Sequence, residues 1–144
     1  MAWGPYSGSL TISTLGSTYV DYLALDGAGN WENGSHRGWV NIDQGRPTCV
    51  ALANAAVKTG KRVQLRYRVN DPLPSCGKAN ATIRIYRHGK LVKKLTTVKV
   101  AVNKALVHSW RVTLRKGSYT WVVSATDIAG NAQLVKGTRL LRVT

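Results

Sequence analysis

Val63-Gln64-Leu65-Arg66-Tyr67-Arg68-Val69-Asn70 alternates apolar and polar side chains without a break. In an extended chain successive side chains point to opposite faces. This pattern therefore buries Val63, Leu65, Tyr67 and Val69 on one side and leaves the others to water. The same period recurs downstream, in Ala81, Ile83 and Ile85 against Thr82, Arg84 and Tyr86. It continues through Leu91-Val92 with Leu95, then Val98, Val100 and Val102, then Trp110, Val112 and Leu114. Tyr119, Trp121, Val123 and Ala125 form a further face, and Leu141 and Val143 mark the last. Turn-forming residues stand between the runs, in Asn70-Asp71-Pro72, His88-Gly89-Lys90, Lys116-Gly117-Ser118 and Ala129-Gly130-Asn131. Six or seven short strands punctuated in this way predict an all-β, antiparallel β-sandwich. Its expected core is Val63, Leu65, Tyr67, Val69, Ile83, Ile85, Trp110, Val112, Trp121 and Val123.

Tyr119 follows Gly117 at the start of the penultimate run, where a tyrosine corner would turn its phenol back onto the preceding loop. The chain also repeats itself. At an offset of 101, GSTYVDYLALDGAGN (16–30) falls on GSYTWVVSATDIAGN (117–131) with seven of fifteen positions identical. Val40–Asp43 falls in turn on Leu141–Thr144. Residues 1–44 are therefore read as the last strands of an incomplete repeat, and residues 45–144 as a complete one. The missing front should leave a sheet edge and an apolar face uncovered, a route to self-association.

Charge divides the chain at nearly the same place. The net charge is +15, from 21 basic and 6 acidic side chains. Residues 1–57 hold only Arg37 and Arg46 among the basic ones, against Asp21, Asp26, Glu32 and Asp43. Beyond them only Asp71 and Asp127 oppose the rest. Such a balance favours anionic partners. No apolar run is long enough to span a membrane. Cys49 and Cys76 are the only cysteines, and both are flanked by turn chemistry. They are expected to form a disulfide, the other reading being two free thiols in a reducing compartment. With no secretion signal at Met1-Ala2-Trp3-Gly4-Pro5, a disulfide implies an export signal further upstream, and hence a piece of a longer extracellular protein.

Residues 3–43, from Trp-Gly-Pro-Tyr-Ser-Gly through Asp-Gly-Ala-Gly-Asn-Trp-Glu to Val-Asn-Ile-Asp, resemble the end of a bacterial immunoglobulin-like repeat of the actinobacterial type. Residues 46–144, ending in Ala-Thr-Asp-Ile-Ala-Gly-Asn and a final strand, resemble a whole one. The resemblance implies an immunoglobulin-like sandwich in a secreted or cell-surface protein, used as a spacer, stalk or adhesive element beside neighbouring domains. It says almost nothing of a ligand.

Three sets of residues invite a binding function. Arg66, Arg68, Arg84, Lys93, Lys94 and Arg111 project from strands and could hold an anionic polymer such as teichoic acid or acidic polysaccharide. Specific nucleic-acid readout is not expected, because the exposed stacking aromatics among them reduce to Tyr86. Trp3, Trp31 and Trp39 could stack on sugar rings. Asp26 with Asn30, and Asp127 with Asn131, carry side-chain oxygens, but each copy offers too few for calcium. They are read as structural turns, with no metal or cofactor expected. His36, His88 and His108 have no nucleophile in a suitable pattern and Glu32 is the lone glutamate, so the chain is expected not to be an enzyme.

Overall fold

The computed structural model describes residues 4–144. The chain divides into two compact units, one ending at Ile42 and the other spanning Asp43–Thr144. The described residues form ten strands and no helix.

In the first unit β1 (Gly16–Tyr22) pairs antiparallel with β2 (His36–Ile42). The second unit is a sandwich of two sheets. One has three strands in the order β3-β5-β8: β3 (Thr48–Ala51), β5 (Arg62–Asn70) and β8 (Ala105–Arg111). The other runs β4-β10-β9-β6-β7: β4 (Ala55–Val57), β10 (Gly137–Val143), β9 (Gly117–Asp127), β6 (Lys78–Arg87) and β7 (Lys90–Ala101). Pairing is antiparallel except between β4 and β10, which run parallel.

The runs in β5, β6 and β9 bury the side they predict, whereas on the edge strand β7 Leu91, Val92 and Val98 stay exposed. Val63, Leu65, Tyr67 and Val69 from β5 meet Ile83 and Ile85 from β6, and Trp121 and Val123 from β9, in one core with Val112. Trp110 packs against this cluster from a half-buried position. The two runs read over residues 91–102 fall on the single strand β7, apart from Val102 just past its end, and two register shifts keep β7 paired to β6. The two sheets come close together where β10 begins. A Cβ on Gly137 would lie 2.3 Å from the Ala51 nitrogen and 2.6 Å from the Val50 carbonyl carbon, so only glycine fits there.

The 101-residue offset reappears in hydrogen bonding. β1 and β2 match β9 and β10 in register, with Gly16 opposite Ile42 and Gly117 opposite Val143. Isolated bridges join Leu25 to Trp31 and Thr126 to Ala132. In one turn the Asn30 amide donates to Asp26 Oδ1 at 2.8 Å and its Nδ2 donates to Oδ2 at 3.0 Å. In the other, Asn131 does the same to Asp127 at 2.8 and 2.9 Å. Gly29 and Gly130, at φ +88° and +98°, supply the left-handed position that both turns require. A short side chain that caps its own turn explains why Asp-x-Ala-Gly-Asn occurs twice.

Candidate functional site

Along β5 the residues between the core positions face outward, which places Arg62, Arg66 and Arg68 on one side of the three-stranded sheet. Arg111 lies directly across from Arg62 on β8, and Val107 and Ala105 lie across from Arg66 and Arg68. Two like charges placed directly opposite destabilise a sheet unless an anion lies between them. Among the described residues no carboxylate stands on these three strands. Among the described residues the ion pairs are Arg37–Asp21 and His36–Glu32, both in the first unit. Arg62 belongs to the set although it was not among the six candidates, because it precedes the alternating run.

Those six do not form one surface. Arg66, Arg68 and Arg111 share the three-stranded sheet, whereas Arg84, Lys93 and Lys94 lie on the other. Arg84 donates from Nη1 to Ser124 Oγ at 2.8 Å, in a shallow polar groove with Tyr86 and Lys136. Lys93 and Lys94 sit on β7, the edge strand, where lysine opposes pairing with another sheet.

Of the three candidate tryptophans, Trp3 lies outside the described residues. Trp39 is 60% exposed and lies opposite Tyr19, their rings 5.6 Å apart, with the Arg37 guanidinium 4.0 Å above the tyrosine. Its repeat counterpart, Leu140, is also exposed, so this position faces outward in the complete repeat as well. Trp31, 62% exposed, lines an apolar groove with Val20, Tyr22 and Leu25. Tyr119 Oη donates to the Arg115 carbonyl at 2.6 Å, the geometry of a tyrosine corner.

The expected disulfide is absent. Cys49 and Cys76 are both free. Cys49 is buried in the core, where desolvation pushes its thiol up to about 11. The Cys76 thiol instead donates to the Lys78 carbonyl at 3.4 Å. Turn residues flank both cysteines, and β3 carries Cys49 inward opposite Val69.

Cys76 has acidic neighbours. Asp43, Asp71 and Asp127 converge on it, with one potential ligand atom from each of the four residues within 4.8 Å of the others. They arrive from three segments: the chain leading into β3 (Asp43), the loop between β5 and β6 (Asp71 and Cys76) and the end of β9 (Asp127). Asp43 accepts the Gly45 amide on Oδ1 and the Cys76 amide on Oδ2, at 2.8 and 2.9 Å. Asp127 accepts from Asn131, whose Nδ2 also reaches the Asp43 carbonyl at 3.0 Å. Asp71 Oδ2 accepts the Ser75 hydroxyl at 2.6 Å. Burial pushes the Asp71 carboxyl above its ordinary range, and Asp43 and Asp127 push it the same way against that hydrogen bond. Read along the chain, no ligand set was visible; the fold assembles this one across distant positions.

The histidines are scattered. His36 pairs with Glu32 at 2.6 Å, His88 occupies the β6–β7 turn at φ +48°, and His108 contacts the Thr97 hydroxyl at 3.0 Å.

No family model and no curated sequence matches the chain. The likeness to actinobacterial repeats therefore stands on its residues alone. Solved structures are similar to it. A CARDB domain from Pyrococcus furiosus, solved in complex with di-metal ions, is 17% identical over 69% of this chain and 89% of its own, with a TM-score of 0.46. A solution structure of the same domain is 20% identical over 72% and 98%, at 0.45. A superoxide reductase (neelaredoxin) from Ignicoccus hospitalis is 15% identical over 69% and 82%, at 0.46. This last likeness corrects the expectation that the chain is not an enzyme, since an oxidoreductase stands among the chains similar to it. The chain is an all-β protein whose second unit is a β-sandwich.

Proposed function

We propose that the chain is part of an array of β-sandwich modules that serves as a spacer or stalk in a longer secreted or cell-surface protein. The observation that carries this reading is the repeat. Strand register, turn hydrogen bonds and isolated bridges recur at one offset, as they do when a unit is copied along a chain. With both thiols free, placement outside the cell rests on the resemblance to surface repeats.

The arginine face favours a second reading, as a surface for an anionic polymer. Arg62, Arg66, Arg68 and Arg111 line one sheet, and among the described residues none of them pairs with a carboxylate. Strands rise about 3.3 Å per residue, so alternate arginines stand roughly 7 Å apart. One experiment separates the two. The chain and its R66E/R68E/R111E variant are run on a heparin or teichoic-acid column and eluted with salt. The spacer reading expects both to leave at low salt, in the order of their net charge. Retention of the native chain well above physiological salt, lost in the variant, would overturn it in favour of polymer binding.

A further inference from the structure

Three of the six carboxylates in this basic protein gather at one end of the sandwich, and none of its 21 lysines and arginines pairs with them among the described residues. Asp71 and Asp127 are 3% and 2% exposed. Asp71 Oδ1 is buried without any hydrogen-bond partner, although the carboxylate faces Asp43 and Asp127. An unpaired buried carboxylate is costly, and neighbouring like charges add to the cost, unless a counter-charge occupies the space between them.

We propose that Asp43, Asp71 and Asp127 bind a divalent cation of the oxygen-seeking kind, calcium in size. Calcium–oxygen distances are about 2.3–2.6 Å, so a central ion can reach donors spread over 4.8 Å. Three carboxylates supply up to six oxygens, and water completes such a sphere. The Cys76 thiol is engaged with the Lys78 carbonyl, and sulfur is a soft donor that an oxygen-seeking ion does not select, so it is a neighbour of the ion, not a ligand. This assignment is independent of the spacer reading and survives its failure.

The test is thermal unfolding of the full chain, stripped with chelator and then titrated with calcium, beside D71N and C76S. At calcium a hundredfold above its Kd, the wild type and C76S should melt roughly 5–10 °C higher. D71N should lose that response while melting above the stripped wild type without metal, because the repulsion is gone. A residue serving only as a structural hydrogen-bond acceptor would instead lower the melting temperature when replaced. No response of the wild type to calcium overturns the proposal. So does a response confined to zinc and abolished by C76S, which would make the thiol a ligand.

Discussion

Cys49 lies 2% exposed on the core side of β3, and its thiol holds its proton to about pH 11 rather than 9. Between those values the unfolded chain releases a proton that the folded chain keeps. The stabilisation is therefore complete below pH 9 and is lost as pH rises through 11. Denaturation midpoints measured at pH 8 and pH 10.5 should fall further for the wild type than for C49A. An aromatic disulfide reagent should modify Cys76 in the folded protein and Cys49 only after unfolding. The sequence shows two cysteines beside turns but cannot show which way a four-residue strand faces. That orientation is set by the pairing of Cys49 with Val69.

At the scale of elements, long alternating runs announce themselves and short strands do not. β5, β6 and β9 are legible because seven or more consecutive residues obey one period. β3 and β4, with four and three residues, are too short to show one. They exist because the core offers them a place. Gly137 marks that place. Its counterpart at the repeat offset is His36, and the described residues of the first unit form no strand equivalent to β3 for a side chain to strike. G137A should therefore destabilise the second unit by about 3 kcal/mol or more, since backbone rather than a movable side chain stands in the way. Equilibrium unfolding in urea measures it; a loss below about 1 kcal/mol would mean that the sheets can part there. The acidic cluster was hidden for a related reason. Asp43, Asp71 and Asp127 are widely separated along the chain, and three different connections bring them together. Only the Asp127–Asn131 half, a local turn, could be read in advance.

At the scale of the whole molecule, one pairing stands apart from the antiparallel rest. β4 closes the incoming stretch of the second unit and β10 is its last strand, and they run parallel through Ala55–Leu141, Ala56–Arg142 and Val57–Val143. The Thr144 amide donates to Val57 at 2.9 Å, and the Thr59 amide to Thr144 at 3.0 Å, extending the ladder past the strand ends. Tension applied at the two ends of this unit would draw the strands in opposite directions along their axes. All the rungs would then bear load together instead of opening one after another like a zipper. Single-molecule pulling from the ends should give one high-force rupture. Pulling from the His88–Gly89 hairpin and Thr144 should open the unit at a fraction of that force, and equal forces in the two geometries would show that the ladder bears none. In the spacer reading proposed above, the parallel pair would act as a mechanical clamp that grips hardest along the line in which the chain would be stretched.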